Sequence, residues 1–350
     1  MSVSIAVAVR EGIIFRSADT FRRVADVKSW AFDKTGTLSQ SKLSVAVADD
    51  GGSDISQLLA HILTHAVKHP VAAAVHQHIA ASKPCDTTGR DDALVSIPGA
   101  GVETLVLGYV LRGGSPKFTN TTGHPRVTTL VNQGFSVFTV TFGSQLIAVY
   151  GLLDVARPGA ERLIADLTQK SQRVVMITGD NEEAAHRFAS RIGLSLDSVH
   201  GPCSPERKGE LVAMLRKDYG SVAFVGDGIN DSIALASSDV AISLGSGTDA
   251  AVSLAHIVLL GTDINRGISA TLDLARLSNA HVIAALVWCG IYFVFAILLA
   301  SGAFVKWRIP PSYAGLGELV SVLPVLLIAG SVWLTRAAQL RGGACLRRMT

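Results

Sequence analysis

The sequence predicts an α/β fold: a parallel-sheet domain, an α+β domain inserted into it, and two C-terminal transmembrane helices. Three observations predict it. Short, mostly apolar runs at Trp30–Phe32, Arg173–Ile177 and Ser221–Val225 each lead into loops rich in Asp, Gly, Thr and Asn. Helical stretches lie between them, and strands alternating with helices make a parallel sheet. Near the C-terminus, Val282–Phe304 runs for 23 residues without a charge, and a bilayer span takes about 20.

Composition narrows the function classes. The chain of 350 residues has room for two soluble domains and a membrane portion. Hydrophobic residues make up 49%, high for a soluble protein. A net charge of +3 is too small to argue for a nucleic-acid partner. Cys85, Cys203, Cys289 and Cys345 form no C-x-x-C or C-P-C pair, which argues against a disulfide framework and a cysteine metal site. The apolar N-terminal run has no charged stretch before it and no cleavage site, so a secretory signal is not expected.

The chain opens with apolar Ile5–Val9, too short to span a bilayer, and the stretch Arg10–Ser17. Trp30-Ala31-Phe32 then reads as the end of a buried strand, with Asp33 directly after it. In open parallel sheets, ligands bind beyond the strands' carboxyl ends. A carboxylate there can attack a phosphoryl group. Lys34 adds positive charge, Thr35 and Thr37 add hydroxyls, and Gly36 lets the backbone turn toward phosphate oxygens. Asp-Lys-Thr alone also suits an ordinary polar loop. The longer string Asp33-Lys34-Thr35-Gly36-Thr37-Leu38 behind an apolar strand is far more specific. It resembles the phosphorylation motif of the P-type ATPases, whose Asp accepts the γ-phosphate of ATP. The resemblance makes residues 1–28 the cytoplasmic end of a membrane helix and a linker.

Ile55–Ala81 has helical spacing, with His61, His65 and His69 four apart on one side. The three imidazoles could hold a metal; a solvated helix face is the plainer reading for His61 and His65. His69 differs because Pro70 follows it, and Pro is welcome in a first turn. The pair resembles the His-Pro motif that helps hold adenine in heavy-metal P-type ATPases. Gly99 and Gly101 permit close approach of backbone to a ligand, or form an ordinary turn before a strand at Thr104–Gly108. Their position resembles the family's glycine loop beside ATP. The sequence departs from the family at Thr64, where an acidic residue is frequent, and at Glu103, where a third glycine is common. Phe135, Val137, Phe138, Val140 and Phe142 alternate into two strands with a turn at Gly143-Ser144.

Asp154-Val155-Ala156-Arg157-Pro158 resembles the family's segment re-entering the sheet domain; it also suits a helix start with Pro at the first position. A helix is expected over 159–170. The strand Arg173–Ile177 leads to Thr178-Gly179-Asp180, where a hydroxyl and backbone N–H groups can meet a phosphoryl group. Asn181–Gly193 reads as a helix ended by glycine. In Pro205-Glu206-Arg207-Lys208, Lys208 matches the family's lysine near the aspartyl phosphate, with Arg207 as its rival. After Ser221–Val225 comes Gly226-Asp227-Gly228-Ile229-Asn230-Asp231. Asp227 offers a hard oxygen to Mg²⁺, and Asn230 and Asp231 can hold the loop in place. Val240–Gly245 and Ile257–Leu260 add two strands.

Four separated loops thus supply a nucleophile, a hydroxyl, a lysine and a metal-binding carboxylate, the set phosphoryl transfer needs. The sheet domain resembles the haloacid dehalogenase superfamily, to which P-type ATPases belong. The resemblance implies ATP and Mg²⁺ as cofactors, with Asp33, Thr35 and Asp227 as metal ligands. It implies a phosphorylation domain over 29–40 and 150–265 and a nucleotide-binding domain over 41–149. A linker helix (266–281), transmembrane helices (282–304 and 316–335) and a basic tail (336–350) follow.

Between the spans, Lys306 and Arg308 are outnumbered by Arg266, Arg276, Arg336, Arg341, Arg347 and Arg348 outside them. This places the soluble domains and the C-terminus in the cytoplasm. Trp307 and Tyr313 suit the interface. Ala303–Leu327 looks most like fungal copper/cadmium-type pumps. Tyr292, Glu318 and Ser321 are polar groups in or near the membrane. No Thr-Gly-Glu and no Cys-Pro-Cys occurs, so the sequence reads as a truncated or split heavy-metal P1B-type ATPase. Its partners would be the membrane, the missing half or a full-length pump, and a heavy-metal cation once a complete transport core is present. The alternatives are a membrane-tethered phosphatase and a non-catalytic fragment regulating a full pump.

Overall fold

A seam divides the chain inside two of its strands. In the computed structural model, which describes residues 2–51, 53–64, 69–82, 94–97, 100–301 and 317–331, the chain forms two compact units. One holds the residues up to Phe32, Pro158–Val174, and those from Pro205 on; the other holds Asp33–Arg157 and Val175–Ser204.

The first unit is built on a mostly parallel sheet. Ser29–Asp33, Val222–Gly226, Val240–Leu244 and Ile257–Leu259 pair in parallel in that order, and Ile13–Phe15 closes the far edge antiparallel. Phe32 pairs with Val225, so both strands end at one level of the sheet. The Arg173 N–H donates to Lys28 O (3.2 Å), which brings the next strand alongside. Ser29–Asp33, Val222–Gly226 and Val240–Leu244 are buried at every position. A parallel sheet covered on both faces requires such continuous apolar runs.

The helices of this unit follow their apolar stripes. Ala160–Gln169 buries Ala160, Leu163, Ile164 and Leu167, one face of a 3.6-residue period. Pro158 does not take the first helical position that its segment also suited. Gly159 caps the helix at φ +83°, and a Cβ there would lie 2.3 Å from Asp263 Oδ1. The expected linker helix and first span are one continuous helix, Ile264–Ala300, capped by Asp263 through the Arg266 N–H at 2.9 Å. No proline falls within Ile264–Ala300 to interrupt its helical hydrogen bonding. Its first half buries Ile268, Leu272 and Ala275, and burial ceases after Ser278. The N-terminal helix Ser2–Arg10 meets it where Ser4 Oγ donates to Ser278 Oγ (3.1 Å). Of the second expected span, Gly317–Ser331 is helical and apolar. The remaining positions of both spans, the loop between them and the basic tail lie outside the described residues.

The second unit carries a six-stranded antiparallel sheet. Its order is Ser39–Asp49, Gln145–Ala156, Ser136–Phe142, Tyr109–Gly114, Gly101–Val106 and Val95–Ile97. The helices Asp54–Thr64 and Pro70–Ser82 share a core with it around Leu63, Val75, Leu111, Val140 and Tyr150. A separate cluster joins Val127 and Leu130 of Pro125–Asn132 to Val149. The helix expected over Ile55–Ala81 is two helices. Proline lacks an N–H and disfavours helix in the residue before it, so Pro70 opens a new helix. The strand expected at Thr104–Gly108 starts earlier and ends at Val106, because Leu107 (φ +52°) and Gly108 (φ +82°) make the turn. In this unit Val199–His200 also pairs in parallel with Met176 and Ile177, and Asn181 caps Glu182–Arg191 through the Ala184 N–H (2.8 Å).

Candidate functional site

The second unit supplies Asp33 and the loops around it. Asp33, 4% exposed, is the last residue of its strand. Lys34 is also buried, and its ammonium is held by two carboxylates, Asp154 (2.5 Å) and Asp180. The Phe188 ring lies 5.6 Å away on another side. Burying an unpaired ammonium costs several kcal/mol, and here two anions offset it. Burial alone would depress the Lys34 pKa; the hydrogen bonds and charges of Asp154 and Asp180 overcome it and raise the pKa above the ordinary lysine value.

Behind Lys34 the chain turns sharply. Gly36 takes φ +74°, a conformation that glycine enters without penalty. Arg157 clamps the turn: its Nε donates to Thr37 O (2.8 Å), and a terminal nitrogen donates to Gly36 O. Thr35 is left exposed at the turn. Thr37 is fully buried, and its Oγ1 has no hydrogen-bond partner among the described residues. Thr178 follows its strand at 1% exposure. Its N–H donates to His200 O, its carbonyl accepts from the Cys203 N–H (both 2.9 Å), and its hydroxyl accepts from the Asp180 N–H at 3.2 Å. Gly179 sits between them with 3.6 Å from a Cβ position to Cys203 O.

The first unit supplies the acidic loop. Lys208 on helix Pro205–Tyr219 pairs with Asp231 at 2.7 Å, both nearly fully buried. The other Asp231 oxygen accepts the Gly228 N–H (3.2 Å). A Cβ at Gly226 would meet that oxygen at 2.7 Å, so the loop closes only around glycine. Asp227 accepts the Thr248 N–H on its main-chain oxygen at 2.8 Å, and its carboxylate has an oxygen within 4.8 Å of one on Asp231. Asn230 is exposed. Arg207, the rival for the lysine's place, points outward to Glu210 (2.8 Å). Carboxylate oxygens are the donor type a hard divalent cation takes.

Within the inserted domain, His69 and Gly101 line one cavity of about 180 Å³ with Ser96, Ser115, Val137 and Phe138. His69 Nδ1 accepts the Val71 N–H (3.3 Å). Pro70 lines a neighbouring cavity instead, with Lys42, Gln77 and His78. Gly99 lies outside the described residues. The histidine metal reading needs its imidazoles along one helix, and His61 and His69 do not share one. His61 is buried rather than solvated and packs against His76 on the other helix, centroids 4.7 Å apart, while His69 stands just before that second helix. His65 lies outside the described residues. Sequence reasoning gave Asp154 and Arg157 no chemical role; the signal was their own segment, Asp154-Val155-Ala156-Arg157-Pro158.

A family model for haloacid dehalogenase-like hydrolases matches residues 27–239. The copper-exporting P-type ATPase B of Archaeoglobus fulgidus is 32% identical over 341 residues, 96% of this chain and 48% of that protein. Copper-transporting ATPase 2 of Rhizobium meliloti is 32% identical over 84% of this chain and 36% of that protein. A crystal structure of a zinc-transporting PIB-type ATPase in its E2·Pi state superimposes with a TM-score of 0.80, at 25% identity over 95% of this chain and 53% of its own. The chain therefore spans about half the length, or less, of these three proteins.

Proposed function

Because the chain belongs to the haloacid dehalogenase-like hydrolases, in their heavy-metal (P1B-type) P-type ATPase branch, we propose that it forms an aspartyl phosphate at Asp33 from Mg·ATP, as the catalytic part of a heavy-metal cation pump. One observation carries this reading. Asp33 ends a wholly buried strand, and the residues behind it are fixed before any substrate arrives: Lys34 by two carboxylates, the Gly36–Thr37 turn by Arg157. A preorganised charge environment is the main resource of phosphoryl transfer.

An Asp33 carboxylate oxygen attacks the γ-phosphorus in line with the β,γ-bridging oxygen. The new P–O bond forms as the bridging P–O bond breaks, and its electron pair leaves with ADP. Thr178 donates its hydroxyl to the transferring group. Lys208, held by Asp231, adds positive charge to it. Asp33, Thr35 and Asp227 would hold Mg²⁺, whose charge would neutralise phosphoryl oxygens. The domain over 41–149 presents the nucleotide, with His69 and Gly101 at the base. The long apolar helix supports a membrane setting, and the excess of arginines outside the expected spans supports a cytoplasmic side for the catalytic units. The transported ion is of the copper/cadmium class, by the kind of relatives the chain has.

The test is labelling of the full chain, in membranes or detergent, with γ-labelled ATP. An acid-stable, hydroxylamine-labile label is expected, and Asp33→Asn should abolish it. A wild-type chain that takes no label, or an Asp33→Asn chain that labels equally, overturns the proposal.

A further inference from the structure

A lysine ammonium has three N–H bonds to place, and Lys34 places them out of water, at 2% exposure. Two meet carboxylates, Asp154 (2.5 Å) and Asp180. On another side the ammonium stands over the ring of Phe188, 5.6 Å from its centroid. That is within the roughly 6 Å at which a ring's quadrupole attracts a cation. Phe188 is itself 3% exposed, so the contact is desolvated, the condition under which such pairs are strongest.

A buried phenylalanine also fills core whatever its polarity, and Phe188 lies with Ala185 and Ala189 on the buried face of Glu182–Arg191. An aliphatic side chain of similar size would fill the same space. It would leave the remaining N–H of a buried ammonium facing hydrocarbon that cannot accept it, which costs free energy. An aromatic ring offers the negative face that an aliphatic side chain lacks.

The helix that carries the ring is tied to both carboxylate segments. Asn181, directly after Asp180, caps it through the Ala184 N–H at 2.8 Å. At its other end Arg191 donates to Asp154 O (2.9 Å). Position then passes outward from Lys34. Asp33 is its neighbour in the chain, and the Asp180 N–H donates to the Thr178 hydroxyl (3.2 Å).

We propose that Phe188 is a positioning residue for phosphoryl transfer. Its ring face holds the Lys34 ammonium between Asp154 and Asp180, and so keeps Asp33 and Thr178 in their places. The proposal rests on the reading of Asp33 as the phosphorylated residue, and Phe188 acts only through Lys34.

The experiment replaces Phe188 in the full chain with mono-, di- and trifluorinated phenylalanine. Fluorine drains negative charge from the ring face and changes its size little, so the attraction is removed stepwise while the packing is nearly kept. Denaturant unfolding in detergent, at one neutral pH, reads the contact. The unfolding equilibrium constant should rise with each fluorine, by about three- to thirtyfold over the series, the range of a cation–π contact. In a Lys34→Met background that slope should vanish, because the charge is gone. Labelling from γ-labelled ATP reads the positioning, and the rate of label formation should fall along the series by a similar factor. A chain that labels at one rate throughout the series overturns the positioning role and leaves Asp33 standing. An unfolding slope that is absent, or that persists unchanged with Lys34→Met, overturns the contact and with it the proposal. A wild-type chain that takes no label overturns the Asp33 reading and the positioning role together.

Discussion

Lys34 carries its charge into the protein rather than toward solvent, and that fixes what substitutions there should do. Lys34→Met removes a buried ammonium and leaves Asp154 and Asp180, both partly exposed, for water to solvate. The cost should be modest, about 1–2 kcal/mol, but the turn holding Asp33 loses its anchor, so phosphoenzyme formation should fall. The raised pKa gives the stability difference a definite pH dependence. It should be complete below the unfolded lysine's value, about 10.4, and vanish as pH rises through the higher folded value. Denaturant unfolding of wild type and Lys34→Met between pH 7 and 11 measures it. His256 behaves oppositely. Burial first, and then the charges of Arg23 and Arg16, lower its pKa. Its Nδ1 accepts the Ala241 N–H at 2.9 Å, which only the neutral ring can do. Its contribution should be full above about pH 6.5 and be lost as pH falls through the lower folded value. A His256→Asn chain should lack that acid-side slope. At this scale the sequence showed Asp33 and Thr178 through their strings. It could not show that Asp154 faces Lys34, because a partner 120 positions away is set by tertiary packing.

Elements were legible wherever one period ran unbroken. The buried strands and the helix Ala160–Gln169 declare themselves by apolar spacing. Legibility was poorer at proline and glycine, whose effects depend on neighbours as well as on sequence. Pro70 was read as suiting a helix's first turn, and it opens Pro70–Ser82; what the helical spacing over Ile55–Ala81 did not show is that this helix is separate from Asp54–Thr64. Gly101 was read as a place where backbone approaches a ligand. It lines the cavity, but the closest demand on it comes from its own sheet. A Cβ there would stand 2.4 Å from Gly113 O and 2.6 Å from the Phe118 ring. A backbone carbonyl cannot step aside as a flexible side chain can. Gly101→Ala should therefore destabilise the inserted domain by about 1–3 kcal/mol. It should also weaken nucleotide binding, because the strand pair forming one wall must spread. Thermal unfolding and binding measured on one preparation separate the two effects. Gly261→Ala, with open space around its Cβ position, is the control and should change neither.

At the scale of the whole molecule, the question is what surrounds the far half of Ile264–Ala300. Nine large apolar side chains between Ile283 and Leu298 are exposed, Leu286 by 67% and Ile297 by 65%. Burying one such side chain contributes about 1.5–3 kcal/mol, so together they forgo roughly 15–25 kcal/mol in water. That exceeds the net stability of most domains, about 5–15 kcal/mol. The helix turns from buried to exposed at Ser278, close to where the uncharged run begins at Val282. A helix buried in protein below that point and, beyond its meeting with Gly317–Ser331, exposed above it is one leaving a soluble domain for an apolar solvent. Lipid is the medium expected. The full chain should sediment with membranes, resist extraction by alkaline carbonate, and be released by detergent. Introducing a lysine at Val287, where the side chain is 56% exposed, should weaken that retention by about 2.5–3.5 kcal/mol, while His281→Lys near the start of the run should change it little. A chain that stays monodisperse in buffer without detergent would show that another protein surface covers this helix.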